Sequence, residues 1–417
     1  LPSSARAVEG NGAYQQQPSI LSLPRVIFVN RVYWPSTAAT AQLLTDLAEG
    51  LASRGWEVHV VAAGEASTRH QGVTIHRTGG SDRHGGLLSR AFNYGRFRRG
   101  AQRRLASLLV PGDVVVVMTD PPLLGAAVTD LAVKRGARVV HWIQDIYPEI
   151  VTAHLGSLAT FPLSPLRALR DVAWLSARQC VTLGTDMARA VTARGVPAGQ
   201  VQIVPNWAPR ELHAPSAPDA IAARRAAWGV TDEFVVAYSG NLGRVHEFTA
   251  VLAAAEILKA RPDILFLFIG TGARFEEVRA AARSRGLTNL RMLPPQSRAD
   301  LPAALAAADA QLVTLKPGFA QLVYPSKLAG VLAAGRPVLF VGPAGGEIAR
   351  LLQAAECGVA VGPGDGQRLA ETIATWQSDP ARRAQLGRNA RSAYESHFTF
   401  ANALARWEEI LRQAAGA

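Results

Sequence analysis

Short β-branched runs alternate with stretches of helical periodicity along most of the chain. Arg25-Val-Ile-Phe-Val-Asn30 reads as a strand, Ala41 to Ala52 spaces its apolar residues as a helix does, and Glu57-Val-His-Val-Val-Ala62 reads as the next strand. Val114 to Thr119, Arg138 to Trp142, Cys180 to Leu183 and Val201 to Pro205 continue the series. Strands apolar on both faces and separated by helices indicate a parallel sheet covered on both sides.

The alternation then pauses. Asn206 to Trp228 carries Pro209, Pro215 and Pro218 with an alanine-arginine helix, and a fresh series starts at Phe234-Val-Val-Ala-Tyr-Ser-Gly240. Its later strands are expected at Ile264 to Ile269, Leu290 to Leu293, Ala310 to Leu315, Pro337 to Val341 and Val359 to Val361. The pattern predicts an α/β protein with two doubly wound, Rossmann-like domains facing a cleft: residues 24–208, a linker over 209–232, and residues 233–395. From Asp379 onward the pattern is helical with a break near Ser396 to Thr399, so residues 396–417 are expected to pack back on the first domain. Ligands of open parallel sheets bind beyond the carboxyl ends of the strands, which places the site between the two sheets.

Composition narrows the class. A chain of 417 residues, 48% hydrophobic and 18% charged, is too apolar to be disordered, and it has no unbroken uncharged apolar stretch long enough for a membrane span. Cys180 and Cys357 lie far apart, without zinc-ligand spacing, so neither a disulfide framework nor a metal site is indicated and a reducing cytoplasmic setting is expected. Residues 1–23 contain Gly10-Asn-Gly12 and Gln15-Gln-Gln17 but no apolar signal-peptide core, and read as a flexible leader.

The net charge of +12 is uneven: residues 1–208 hold 21 basic and 13 acidic residues, a net +8. Arg83, Arg90, Arg96, Arg98, Arg99, Arg103 and Arg104 fall in one stretch with Asp82 as the acid nearby. Tyr94, Phe97, Ala101, Leu105 and Leu108 share a helical face there, beside Arg96, Arg99 and Arg103. The stretch reads as a basic amphipathic surface helix, with Arg90, Arg96, Arg99 and Arg103 facing either an anionic membrane or solvent. No nucleic-acid-binding motif accompanies the charge, so nucleic acid is not an expected partner.

Candidate chemistry clusters at predicted strand ends. Tyr238-Ser-Gly-Asn-Leu-Gly-Arg244 precedes a helix expected to start near His246 or Glu247, where glycines let backbone N–H groups approach a phosphate. A tight strand-to-helix turn would use the same residues. Tyr324-Pro-Ser-Lys-Leu328 enters another helix and puts Lys327 in its first turn, where a cation is unfavourable unless an anion joins it. Gly342-Pro-Ala-Gly-Gly-Glu347 suits a sugar or ribose, or an ordinary helix cap. In the first domain His141-Trp-Ile-Gln-Asp-Ile-Tyr-Pro-Glu149 puts Asp145 and Glu149 just past a strand, with His141 read as a core residue. Thr119-Asp-Pro-Pro122 and Arg31-Val-Tyr-Trp-Pro-Ser-Thr37 occupy analogous positions.

As a set, these segments, together with Val204-Pro-Asn206 and Gly335-Arg-Pro-Val338, resemble the GT-B fold glycosyltransferases of family 4 over about residues 25 to 412. They look most like bacterial members that build cell-surface polysaccharide or its lipid-linked precursors. The resemblance implies sugar transfer from a nucleotide-sugar, with retention of configuration and no catalytic metal. The second domain would hold the nucleotide diphosphate and the first the acceptor. The nucleotide-sugar, a UDP-sugar by default, is then a substrate, and no cofactor is implied. No Asp-x-Asp motif occurs, which fits a diphosphate neutralised by protein cations and helix ends.

Many relatives carry an arginine just after Gly240, a lysine five residues later and two glutamates eight apart near Pro-Ser-Lys. Here those places are Asn241, His246, Leu322 and Gly330. Arg244 and Lys327 are therefore expected to supply the positive charge and Glu347 to take donor hydroxyls. Gly240, Asn241, Gly243, Gly270, Gly272, Pro295, Ser326, Gly345 and Gly346 complete the expected donor site. Asp145 is expected to orient or deprotonate the acceptor hydroxyl, with Glu149 and Asp120 nearby, and Tyr33, Trp34 and Thr37 to contact the acceptor. The expected setting is peripheral, at the inner face of the plasma membrane. A UDP-N-acetylglucosamine 2-epimerase-like enzyme and a non-catalytic scaffold of the same fold are the alternatives.

Overall fold

The computed structural model describes residues 23–80, 86–156 and 161–416; the leader residues 1–22, Asp82 and Arg83 lie outside the described residues. Strands β1 (Val26–Val29), β2 (Val58–Ala63), β3 (Thr68–His70), β4 (Val73–Thr78), β5 (Val114–Val117), β6 (Arg138–Trp142), β7 (Gln179–Thr182) and β8 (Val201–Ile203) form one sheet. Their spatial order is β3-β4-β2-β1-β5-β6-β7-β8, parallel except for the β3–β4 pair. The pair β3 and β4 is an addition to the strands the pattern predicts. β3 is exposed and polar, and β4 contributes little more than Val73 and Ile75 to the core, so neither stands out as an apolar run.

Helices α1 (Ala39–Ser53), α2 (Leu87–Leu108), α3 (Leu124–Lys134), α4 (Glu149–Leu155), α5 (Ser164–Leu175) and α6 (Thr185–Thr192) follow these strands. The period-two alternation of β1 sorts the layers. Val26 and Phe28 meet Leu44, Leu47 and Leu51 of α1, whereas Ile27 and Val29 share a core with Phe97, Ala101 and Leu105 of α2, Val128 of α3 and Trp174 of α5.

The second sheet comprises β9 (Phe234–Ser239), β10 (Ile264–Ile269), β11 (Leu290–Leu293), β12 (Ala310–Thr314), β13 (Val338–Val341) and β14 (Gly358–Val361). It is fully parallel, in the order β11-β10-β9-β12-β13-β14. Around it lie α7 (Pro218–Ala227), α8 (Thr249–Ile257), α9 (Phe275–Ser284), α10 (Leu301–Ala306), α11 (Lys327–Ala333), α12 (Glu347–Ala354), α13 (Gly366–Ser378) and α14 (Pro380–His397). Helix α8 starts later than its pattern suggests, because the preceding loop is tied to the end of β12: His246 Nδ1–H donates to Thr314 O at 2.8 Å and Lys316 N to Val245 O at 2.9 Å.

Two stretches of chain cross side by side between the sheets. Ala208 N donates to Phe398 O at 3.3 Å, with Trp207 buried in the first core and Leu212 in the second. Helix α14 packs on the second domain through Ala390 and Tyr394; α15 (Phe400–Ala415) buries Trp407, Ile410 and Leu411 in the first. Thr399 caps α15 by accepting from Asn402 N at 3.2 Å. Across the cleft, Asp145 and Val323 form an antiparallel bridge, and Ile146 N donates to Leu322 O at 2.9 Å.

Trp407 is wholly buried, edge-on to Trp142 at 4.9 Å between ring centroids. Trp407→Ala is expected to destabilise the first domain by about 3–5 kcal/mol. The shift of the urea midpoint, at unchanged dependence on denaturant, is the measurement.

Candidate active site

The cleft holds a chamber of about 550 Å³, within the size range of ligand sites. Its first-domain wall is Asp145, Tyr147, Ile150 and His154; Pro209 and Leu212 of the linker close one side. The second domain adds Gly240, Asn241, His246, Leu301, Leu305, the segment Val323 to Lys327, and Gly330. Of the residues expected to bind the donor, the fold thus gathers Gly240, Asn241, Ser326 and Lys327 in one place.

The turn after β9 is shaped by a second turn below it. Gly240 has φ +127°, and a Cβ at Gly270 (φ +148°) would lie 2.1 Å from Gly240 O. A Cβ at Gly272 would lie 2.6 Å from Leu242 N, and Leu242 N donates to Thr271 O at 2.7 Å. Gly270 and Gly272 therefore seat the Gly240–Gly243 loop, and neither lines the chamber.

Lys327 dominates the electrostatics. Its Nζ is buried without a hydrogen-bond partner among the described residues and lies 3.2 Å from the centroid of the Tyr238 ring. Burial pulls its pKa well below the ordinary lysine range. Ser326, at the start of α11, makes no capping bond with its side chain. His246 is buried beside Tyr238, and burial followed by the charge of Lys327 lowers its pKa to about 3, so it is a neutral imidazole with its proton on Nδ1. Burial, then Lys316 and Arg244, also lower the pKa of His154. Arg244 itself is exposed and does not line the chamber; with Lys316 it adds positive potential near His154.

On the opposite wall the Asp145 carboxyl is pushed up to about 6, by burial first and then by the negative charge of Asp120. Asp120 is held by Arg31, with Nε and Nη2 each 3.0 Å from a carboxylate oxygen. Glu149 is placed differently from expectation. Its carboxylate accepts from Arg170 at 2.7 and 2.9 Å and from Arg194 at 3.0 Å, with Arg167 at 3.1 Å, and it is not on the chamber wall. Burial works to raise its pKa, but these guanidinium groups outweigh it and hold the carboxyl below the usual range. His141 is a core residue, bonded to Thr129 Oγ1 at 3.1 Å.

A second chamber of about 760 Å³ shares Pro209 and Leu301 with the first. Trp34, Thr37 and Asp46 face Thr271, Pro295 and Arg298 across it, so Trp34 and Thr37 sit with Pro295 rather than with Asp145. Trp34 stacks on His70 at 3.9 Å. Tyr33 is in the first-domain core and lines neither chamber. Gly243 is likewise off the wall, and exposed Gly345 gives its carbonyl to Arg350. Gly346 and Glu347 border a small separate cavity with Asp186, where Glu347 Oε2 accepts from Asp186 N at 3.1 Å.

The pattern missed Tyr147, Ile150, His154, Leu301, Leu305 and Lys316. Ile150 and His154 are four apart on α4, as are Leu301 and Leu305 on α10, which is the spacing of an inward face, but α4 and α10 have only seven and six residues. Among the described residues no three His, Cys, Asp or Glu side chains gather as metal ligands, and no helix is long and apolar enough to cross a membrane.

Two facing doubly wound sheets with an anion-receptive chamber between them define a GT-B architecture. Residues 221–393 match the family described as Glycosyl transferases group 1, and residues 39–207 match the Glycosyl transferase 4-like domain. WbjE of Pseudomonas aeruginosa, assigned as a glycosyltransferase, is 30% identical over 272 residues, covering 65% of this chain and 67% of WbjE. WcaI of Escherichia coli (strain K12), assigned as a colanic acid biosynthesis glycosyl transferase, is 31% identical over 236 residues, 54% of this chain and 56% of WcaI. The match thus spans little more than half of WcaI's length. The chain belongs to the group 1 glycosyltransferases. Sucrose-phosphate synthase of Thermosynechococcus elongatus shares the fold at a TM-score of 0.75 and 18% identity, over 93% of this chain and 98% of that one. Anabaena HepE, solved with UDP-glucose, does so at a TM-score of 0.71 and 17% identity, over 93% and 99%.

Because the folded pKa of Asp145 lies above its unfolded value of 3.8, its burial is tolerated below that value and becomes costly as pH rises through about 6. Asp145→Asn is expected to be more stable than wild type at pH 8 by about 1–3 kcal/mol, with the gain shrinking toward pH 4.5. Denaturant unfolding at the two pH values measures the difference.

Proposed function

We propose that the chain is a retaining glycosyltransferase that moves a sugar from a nucleoside diphosphate sugar, a UDP-sugar first among them, to a lipid-linked or glycan acceptor in polysaccharide assembly. The observation that carries this reading is the unpartnered Lys327 amine in a chamber at the carboxyl end of β9, beside the Gly240 turn. A diphosphate there gains a charge-assisted bond worth about 1.5–3 kcal/mol, together with backbone N–H groups of the turn. Lys316 and Arg244 add long-range attraction. The names of HepE's ligand and of WcaI's pathway support the donor and the setting.

In the proposed reaction the acceptor oxygen bonds to the anomeric carbon on the face from which the diphosphate departs. The bond from that carbon to the phosphate oxygen breaks, and the acceptor proton passes to the leaving phosphate. Asp145 orients the hydroxyl, and at neutral pH it is ionised with a pKa close enough to 7 to share the proton. The charge on the leaving group is met by protein groups, so no metal or cofactor is assigned a role.

The setting we propose is the inner face of the plasma membrane. On α2, Arg90, Arg96, Arg99 and Arg103 are exposed, and among the described residues no carboxylate pairs with them. Phe92 is 66% exposed beside Arg96, and Leu169 and Val172 are exposed on α5 of the same helical layer. Replacing Arg96, Arg99 and Arg103 by Ala together is expected to weaken co-sedimentation with phosphatidylglycerol vesicles tenfold or more, at about 1 kcal/mol per arginine.

Net UDP release from UDP-sugars, with and without a membrane lipid extract and in the presence of EDTA, tests the reaction. Release that needs the extract and survives EDTA is expected, and Lys327→Ala should slow it at least about tenfold. An epimerase would convert the sugar without net release, and a scaffold would bind no nucleotide-sugar in calorimetry. Unchanged kinetics in Lys327→Ala would remove the lysine from the site.

A further inference from the structure

At the β7–β13 end of the cleft, α6 of the first domain and α12 of the second meet N-terminus to N-terminus. Like helix ends repel, and neither helix is capped by its own leading side chain. Each is capped by the other's acid. Asp186 N donates to Glu347 Oε2 at 3.1 Å, and Glu347 N donates to Asp186 Oδ2 at 2.9 Å. Arg350 Nη2 joins Asp186 Oδ1 at 2.8 Å, and Arg189 pairs with the same oxygen. Burial works to raise the pKa of Asp186, but the bonds from Arg350, Glu347 N and Arg189 outweigh it and keep the carboxyl ionised. Gly184 makes room: a Cβ there would lie 2.2 Å from Glu347 Oε2.

We infer that Asp186 and Glu347 form a reciprocal clasp between the two domains, which makes Asp186 a positioning residue for sugar transfer and gives Glu347 this task in place of binding donor hydroxyls. The link to the chamber is short. Tyr324 and Pro325 border the same small cavity as Asp186 and Glu347, and Lys327 follows two residues later. The other flank of that segment is pinned by the Asp145–Val323 bridge, and Leu322 and Tyr324 pack against the cores of both domains. The segment that carries Lys327 is thus gripped from both sides by the first domain, and opening the clasp frees one of them. The catalytic consequence rests on the proposed role of Lys327; the clasp itself rests on geometry alone.

The test compares Asp186→Asn, Glu347→Gln and the double variant, with thermal unfolding as a check on folding. UDP affinity is read by calorimetry, kcat and KM by UDP release, and the radius of gyration of the nucleotide-free protein by small-angle scattering. The expected result is that each single variant lowers kcat at least about tenfold, leaves UDP affinity within about twofold, and expands the molecule. The double variant should expand the molecule at least as far as either single, because each substitution weakens one of the two reciprocal bonds. Weaker UDP or donor binding in Glu347→Gln alone, with Asp186→Asn unchanged, would make Glu347 a donor ligand and overturn the clasp. Unaltered scattering in both singles and in the double variant would overturn it as well. If the wild type binds no nucleotide, the functional reading fails while scattering still decides the clasp. Glu347→Gln approaches the same contact from the other domain should Asp186→Asn not fold.

Discussion

A buried amine with no hydrogen-bond partner among the described residues is the constraint around which the cleft is organised. Leaving a polar group unsatisfied inside a protein costs on the order of 1–3 kcal/mol, more if it is charged. Lys327 bears that cost against the face of Tyr238. Contact with an aromatic face returns part of the loss, and an arriving anion would return the rest. The opposite wall shows the complementary situation, because Asp145 is disfavoured as a carboxylate by burial and by Asp120. The lysine and the carboxyl face the chamber from opposite walls, one from each domain.

The surrounding architecture holds these two groups in place. Gly270 and Gly272 let one turn sit directly under another, His246 fastens the long β9–α8 loop to β12, and the bridge from Asp145 to Val323 sews the loops of the two sheets together. Leu322 and Gly330 flank the segment that carries Lys327. Leu322 joins the packing between the domains, and Gly330 is packed closely at the chamber wall, where a Cβ would come within 3.3 Å of Leu212 Cδ1.

Much of the fold was legible in the sequence because fully buried parallel strands are written as unbroken apolar runs: Val114 to Val117 and Ile264 to Ile269 are unmistakable. β3 and β4 were not legible, since polar residues at a sheet edge carry little periodic signal. At the site, Lys327 and Asp145 lie beyond strand ends that the sequence pattern marks, and both line the chamber. Glu149 misled because a carboxylate just past a strand looks the same whether it meets substrate or arginines, and its partners Arg170 and Arg194 lie 21 and 45 residues away. The contact that Glu347 makes was equally hidden: its partner Asp186 is 161 residues distant and belongs to the other domain.

The side-by-side crossing of the chain near Ala208 and Phe398 sets an order of assembly. Trp407, Ile410 and Leu411 belong to the core of the first sheet, yet they follow the whole second domain in the chain. The first sheet is made early and must wait, its α15 groove unfilled, while all of the second domain emerges and can fold as a unit. The second domain is in effect an insertion within the first, and the core of the first sheet closes only after the second domain has been made.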